Sequence, residues 1–141
     1  MQPVERPTSE ILLEAVKGFL GDKKQETYEV AIRAMLEALE EDKAVLVPVH
    51  NTSVGSKESY TVPSTLSASN GRWYYIIYTS EKEIPTGRAD VMTIMPLRSL
   101  FRLAAGTPEC GGVCVDPWDR DGLFVPGEYI RQIMQEETPE Q

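Results

Sequence analysis

An acidic segment near the end of the chain carries residue types that can hold a calcium ion. Asp119, Asp121, Gly122 and Glu128 stand at positions 3, 5, 6 and 12 of the calcium-loop pattern. Position 1 is Pro117, which has no side-chain oxygen, and the residues before it are typical of a strand where the motif requires a helix. We therefore predict a hairpin turn at Asp121-Gly122 and no bound metal.

Nucleophilic catalysis is the second chemistry that the residue types allow. Cys114 would be the nucleophile, with His50 as its base and Asn51 as an oxyanion donor, but nothing in the sequence brings the three together. Cys114 alternates with apolar residues in a predicted strand, which is typical of a buried structural thiol. The sequence has no Gly-rich phosphate loop, GxSxG or HExxH motif. We therefore predict no catalytic residue.

Cys110 and Cys114 are the two cysteines of the chain. In an extended segment their Cα atoms lie about 13 Å apart at ~3.3 Å per residue, whereas a disulfide requires less than ~7 Å. With a single histidine, they do not supply the roughly four ligands of a zinc site. We expect two free thiols and no cofactor.

Two short segments have residues suited to binding a partner. Trp118 follows Asp116 in the predicted turn, where a large aromatic side chain either folds over the core or is exposed as an anchor. Thr79 and Ser80 end an aromatic strand before a predicted helix, where backbone amides can hold an anion. Simple N-capping by Ser80, with Glu83 completing a capping box, is favoured there. The predicted contact region comprises Thr79, Ser80, Asp116, Trp118, Asp119 and Arg120.

Composition and charge limit the classes of function. The 141 residues are 41% hydrophobic and 26% charged, as in an ordinary single-domain globular protein. The net charge of -8 argues against nucleic acid or an anionic membrane as partner, because binding phosphates requires clustered Lys and Arg. The start of the sequence lacks an apolar signal region, and no apolar run approaches the ~20 residues of a membrane span. We expect a cytoplasmic protein whose acidic surface maintains solubility or binds a basic partner.

Two amphipathic helices are predicted after a lead at residues 1–8. The first begins at Thr8 or Ser9 and ends at Gly21, and the second begins near Asp22. Both must pack against a further layer, because each has one apolar face. These faces are formed by Ile11, Leu12, Ala15, Val16, Phe19 and Leu20 in the first helix and by Tyr28, Ala31, Ile32, Met35, Leu36 and Leu39 in the second.

Strands are predicted next. A β-branched run at 44–49 contains Pro48, which predicts an edge or a strand end. The Ser- and Thr-rich residues 51–70 are typical of a long irregular hairpin or a mobile flap. Residues 72–78 are apolar on both faces, which favours a central strand over one that meets a partner.

The last third of the chain alternates strands and helices. A strand is predicted at 90–95, and Pro96 and Pro126 are each expected as the first residue of a helix. Residues 112–126 have the pattern of a tight β-hairpin that leads into the last helix.

Three motifs in this order resemble the SseB-type N-terminal domain, the family named for the enhanced serine sensitivity protein. The family usually has Asn-Pro where this chain has Asp116-Pro117. The resemblance implies one compact α+β domain, here at 9–136, with a mixed sheet, two N-terminal helices and one C-terminal helix, before a polar tail at 137–141. It implies no agreed enzymatic activity. The motifs are Leu46-Val47-Pro48-Val49, Tyr75-Ile76-Ile77-Tyr78-Thr79-Ser80-Glu81-Lys82-Glu83 and Gly112-Val113-Cys114-Val115-Asp116-Pro117.

The expected function is a non-catalytic protein-binding or regulatory module with an unknown protein partner. One alternative is a domain that binds a small amino-acid-like or anionic ligand, or an enzyme of unknown reaction, in which a pocket gathers His50, Thr79, Cys114 or Asp116. Another is an inhibitory or immunity-type protein that binds a basic partner. Homo-oligomerisation is compatible with each of these.

Overall fold

The computed structural model describes residues 10–53, 59–80, 82, 84 and 91–137. The predicted lead at 1–8, the first helix cap at Thr8 or Ser9 and the capping-box residue Glu83 lie outside these ranges. The α+β class is confirmed. In chain order the elements are α1 (Glu10–Gly21), α2 (Gln25–Glu40), β1 (Ala44–Ser53), β2 (Ser59–Pro63), β3 (Thr65–Ser67), β4 (Trp73–Ile77), β5 (Val91–Pro96), α3 (Leu97–Ala105), β6 (Cys110–Val115), β7 (Leu123–Pro126) and α4 (Gly127–Glu137).

The strands form two sheets that are joined by one bridge. The first sheet is antiparallel with the order β2-β1-β5, and the second is mixed with the order β3-β4-β6-β7, in which β4 and β6 are parallel. Just beyond β4, the amide of Tyr78 donates to the carbonyl of Leu46 at 2.9 Å, and the Leu46 amide donates back at 3.3 Å. This bridge fixes the end of β4 against β1.

The main hydrophobic core lies between the helices and one face of the strands. Alternate residues point into it, such as Val45 and Val47 of β1 or Val113 and Val115 of β6, as expected for the period of two in a strand. The central position predicted for β4 is confirmed, because it lies between β3 and β6. Residues 74–77 are buried there, so this strand offers no surface for self-association.

Pro48 is not at an edge, because β1 pairs with β5 on one side and β2 on the other. The amide and carbonyl of one strand residue point to the same side. The Pro48 carbonyl accepts a hydrogen bond from the amide of Ser64 at 2.8 Å. Ser64 lies between β2 and β3 and belongs to neither strand. The missing N–H of Pro48 therefore points toward Ser64, just beyond the last β1–β2 pair of Val49 and Pro63, so a bond is absent only at the end of that ladder.

The Ser- and Thr-rich stretch at 51–70 is more regular than predicted. β1 continues to Ser53, β2 returns along it, and β3 pairs with β4. Backbone hydrogen bonds stabilise these strands, so few large apolar side chains are needed. Residues 54–58, between β1 and β2 in sequence, lie outside the described ranges.

The closing hairpin leads into α4 as predicted, but its connection is longer than a two-residue turn. Residues 116–122 join Val115 to Leu123, which are partners in the β6–β7 register. Gly112 has φ of 136°, and an added Cβ would lie 2.0 Å from the Val125 carbonyl oxygen, so no other residue fits there. Among the helices of the described ranges, none is long and apolar enough to cross a membrane.

Candidate functional site: the Trp118 turn

The segment 116–122, here called the Trp118 turn, has an unusual backbone. Asp116, Arg120, Asp121 and Gly122 all have positive φ, between 50° and 73°. The amide of Asp119 donates to the Asp116 carbonyl at 3.1 Å, and that of Gly122 donates to the Asp119 carbonyl at 2.9 Å. Asp tolerates the left-handed region better than most residues, and Gly adopts it freely. The local sequence therefore suits two successive turns, not the single Asp-Gly turn that we predicted.

Thr79 and Asp116 meet because β4 and β6 are parallel and end at the same edge of the sheet. The Thr79 amide donates to Asp116 Oδ1 at 2.9 Å, and the Thr79 hydroxyl donates to Oδ2 at 2.6 Å. The two residues are only 2% and 1% exposed. This pair, which we call the Thr79–Asp116 clamp, ties the base of the turn to β4 and is not accessible to a partner.

Trp118 lies outside the clamp and is both anchored and exposed. Its ring Nε1 donates to the hydroxyl of Tyr78 at 2.7 Å, and Tyr78 is fully buried. The Trp118 side chain nevertheless remains 45% exposed. Trp118 therefore meets both expectations, packing over the core and exposure as an anchor. One edge of its ring is held by the core, and the rest faces outward.

Basic groups lie close to one acidic side chain of the turn, that of Asp119. The Asp119 carboxylate accepts two hydrogen bonds from Arg120, at 2.7 and 3.3 Å, and Lys17 of α1 approaches it to 3.7 Å. Lys23 donates to the carbonyl of Arg120. The hydrogen bond from Arg120, with the charges of Arg120 and Lys17, lowers the pKa of Asp119. The charge of Asp119 is thus locally neutralised by its basic neighbours.

The remaining site residue, Ser80, is half-buried next to the clamp. Cys114 is buried, and this burial, with the nearby Asp116 charge as a smaller contribution, raises the pKa of its thiol to about 12. His50 belongs to the first sheet, where its Nδ1 lies 3.1 Å from the Ser64 hydroxyl, whereas Cys114 belongs to the second. His50 and Cys114 therefore lie in different sheets and are not arranged as base and nucleophile.

The calcium pattern does not form a loop. Its residues extend through the Trp118 turn and β7 into the first turn of α4, where Glu128 lies. Asp119 is already bonded to Arg120. Within the described part of the chain, no group of three or more His, Cys, Asp or Glu side chains is arranged to hold a metal ion.

Two open grooves were not anticipated from the sequence. The α2–α4 groove, of about 510 Å³, lies beside β7 and is lined by Gln25, Tyr28, Glu29, Ile32, Arg33, Leu36, Pro126 and Tyr129. The α1–α2 groove, of about 440 Å³, is lined by Ile11, Glu14, Ala15, Val30, Arg33, Ala34 and Glu37. Neither includes His50, Thr79, Cys114 or Asp116 in its lining.

The residues that line the grooves differ from the predicted burial pattern in identifiable ways. Ile11 was assigned to the buried face of α1, but it is 58% exposed because the stripe that enters the core runs through Leu12 and Val16. Val30 lies off the apolar face of α2, one helical turn from Glu26 and from Arg33, which is the pattern of an exposed apolar residue. In the other groove, Tyr28 donates to the Phe124 carbonyl at 3.0 Å, and burial raises its pKa, with Tyr129 adding to this.

Comparison with known proteins gives one match. A family model described as SseB protein N-terminal domain matches residues 14–132, which is most of the chain. No curated protein and no solved structure matches the chain significantly.

Proposed function

This chain belongs to the SseB protein N-terminal domain family, and we propose that it is a non-catalytic protein-binding or regulatory module that contacts its partner through the Trp118 turn. The observation that carries this proposal is the state of Trp118, which is 45% exposed yet held in one orientation by Tyr78. Aromatic side chains of this kind are frequent anchors in interfaces.

The turn around Trp118 supports the same function. Its backbone is held by two internal hydrogen bonds and by the Thr79–Asp116 clamp, so little conformational entropy is lost when a partner binds. Ser80, next to the clamp in sequence, and Asp119 and Arg120, next to Trp118, are polar and at least partly exposed, which suits the polar edge of an interface. In this proposal the clamp positions the anchor, and Trp118 makes the contact.

The direct experiment is affinity capture from lysate with three immobilised proteins: the unchanged chain, Trp118→Ala and Leu103→Ala. Leu103 is a matched control, because it is another exposed large apolar residue, on α3. We expect a protein captured by the unchanged chain and by Leu103→Ala to be reduced about tenfold or more with Trp118→Ala. Equal capture by all three would contradict the proposal.

Stability must be followed in parallel, because Trp118→Ala also removes the hydrogen bond to Tyr78. We expect a loss of about 1–2 kcal/mol in the free energy of unfolding, which leaves the protein folded. Trp118→Phe keeps an aromatic ring but not the donor, so it should recover most of the capture while retaining part of the stability loss. A loss of stability without any loss of capture would assign Trp118 to the core alone.

A small-ligand domain, including an enzyme of unknown reaction, is the second candidate, and the α2–α4 groove favours it. Its volume of about 510 Å³ is within the ordinary range for ligand sites, and its apolar lining carries the polar groups of Glu29 and Arg33. A screen of amino acids and small anions by thermal shift tests it. A hit that raises the melting temperature of the unchanged chain but not of Arg33→Ala would support this candidate.

The first proposal includes a cytoplasmic location and no binding to nucleic acid or anionic membranes. The net charge of -8 supports it, because such partners would repel the surface. Fractionation of cells that express the tagged chain tests the compartment. A third candidate, an inhibitory protein for a basic partner, is favoured by the same charge and predicts binding that weakens steeply as salt is added.

A further inference from the structure

The α1–α2 groove joins exposed apolar side chains to an acidic surface. Ile11 and Val30 line it and are 58% and 49% exposed, while Ala15 and Ala34 are the small side chains between the helices. Small residues at the bottom of a groove and larger apolar ones beside it leave room for side chains of a partner. Ile11 and Val30 lie off the stripe that enters the core, whereas Ala34 belongs to the core and Ala15 packs against it.

Charge identifies the kind of occupant that this groove fits. Three charged side chains line it: Glu14 on α1, and Glu37 and Arg33 on α2, so acidic groups outnumber basic ones by two to one. Of the charged side chains on these helices, all exposed, six are acidic and two basic, and one of the basic ones, Lys17, already approaches Asp119. The acidic ones are Glu10, Glu14, Glu26, Glu29, Glu37 and Glu40, and the basic ones are Lys17 and Arg33.

Other occupants fit less well. A second copy of this chain would bring the same acidic surface against itself, and each copy carries a net charge of -8. The α2–α4 groove does not specify a partner in the same way, because Glu29 and Arg33 balance each other on its rim and Gln25 already donates to Glu29 at 2.9 Å. The α1–α2 groove therefore has the clearer chemical preference.

We propose that the α1–α2 groove binds a basic amphipathic helix of a partner protein. Apolar side chains of that helix enter between Ile11 and Val30, and its Lys and Arg side chains pair with Glu14 and Glu37. This is the helix-in-groove mode of recognition, in which apolar residues at spacings of three and four anchor the ligand. The surface is independent of the Trp118 turn and can be tested with Trp118 unchanged.

The test uses a pair of synthetic helical peptides as probes. Both carry Leu at positions i, i+3, i+4 and i+7; the polar positions are Lys in one and Glu in the other. Fluorescence anisotropy with a labelled peptide measures binding at low salt. We expect the Lys peptide to bind and the Glu peptide to bind at least about tenfold more weakly. Equal binding of the two peptides would overturn the proposal.

Variants of the groove separate specific docking from general attraction to an acidic protein. Ile11→Ser with Val30→Ser, and separately Glu14→Gln with Glu37→Gln, should each weaken binding of the Lys peptide by about tenfold. Glu109→Gln is the matched control, because Glu109 is exposed but lies on the connection between α3 and β6. If Glu109→Gln weakens binding as much as the double Glu change, the attraction is not local and the proposal is wrong.

Two further measurements keep the result interpretable. Circular dichroism should show unchanged helix content, because Ser and Val have similar helix propensities and both sites are exposed. If gel filtration shows a dimer that the Ile11→Ser and Val30→Ser change dissociates, a second copy occupies the groove and the proposal fails. Trp118→Ala should bind the Lys peptide as the unchanged chain does, so failure of either proposal leaves the other standing.

Discussion

The Trp118 turn and the outer face of α1 and α2 present apolar side chains to the surface in opposite ways. Around Trp118, the Thr79–Asp116 clamp fixes the backbone, and Asp119 is neutralised by Arg120 and Lys17. On the helices, Ile11 and Val30 project from regular backbone into an acidic surface. Net charge alone therefore does not reveal where a basic partner would bind, because Asp119 of the turn is already paired with Arg120 and Lys17.

Substitutions in the Trp118 turn and on the outer face of α1 and α2 should change stability by different amounts. Side chains and backbone of the turn are over-constrained, so substitutions there should be costly even where the residue makes no apolar contact. The outer helix face should tolerate substitution, because its exposed side chains contribute little to the core.

The largest effect is expected for Asp116→Ala, which removes the acceptor of the clamp. The change leaves the buried Thr79 amide without its partner and places Ala at a φ of 51°, so we expect a loss of about 3 kcal/mol or more. Urea unfolding measures it. Asp116→Asn retains one carbonyl acceptor and tolerates positive φ, so it should lose only about 1 kcal/mol. Equally small losses for the two changes would mean that the clamp contributes little.

Gly122→Ala tests the backbone of the turn rather than its side chains. Gly122 has φ of 73°, and an added Cβ would lie 2.8 Å from Pro117 Cα and from the Val115 carbonyl oxygen. We expect a loss of about 2 kcal/mol or more, since strain and a close backbone contact act together. Thermal and urea unfolding should agree on the loss. A neutral substitution would show that residues 116–122 can rearrange freely.

The turn should also control the ionisation of Cys114, since the Cβ position of Gly122 lies 2.9 Å from its sulfur. Burial raises the pKa of Cys114 from 9.0 to about 12. Between these values the unfolded chain releases the thiol proton and the native protein retains it, so stability falls as the pH rises. The contribution of Cys114 amounts to about 1.4 kcal/mol per pH unit above pH 9.

The measurement is urea unfolding at pH 8, 9 and 10 for the unchanged chain and for Cys114→Ala. The unchanged chain should lose stability more steeply over this range, because Cys114→Ala has no thiol to ionise there. Parallel pH dependences for the two proteins would mean that Cys114 is open to solvent. In the native state at pH 8, the thiol should also react slowly with a disulfide reagent compared with the unfolded chain.

The sequence predicted local features well and distant contacts poorly. Apolar spacing identified α1 and α2, and Pro96 and Pro126 marked the starts of the last two helices within one residue. The clamp was not predicted as a pair, because Thr79 and Asp116 are brought together by the parallel pairing of β4 with β6. The sequence predicts both as contact residues, but they are buried. The sequence shows that both residues are polar, but it does not show that they hydrogen-bond to each other.

The smallest effect, and the one of opposite sign, is expected on the helix face. Gly18 lies in the interior of α1, is exposed, and has open space around the position of a Cβ. Gly18→Ala should therefore stabilise the protein by about 0.5–1 kcal/mol, because Ala loses less backbone entropy when a helix forms.

Comparison with Gly122→Ala makes this result informative, because the same substitution is made once in each region. Thermal unfolding should show the melting temperature rising for Gly18→Ala and falling for Gly122→Ala. If Gly18→Ala destabilises the protein instead, the outer face of α1 is constrained by contacts beyond those of its own helix. Such a face would not be a free surface, and the α1–α2 groove would then not be open to a partner helix.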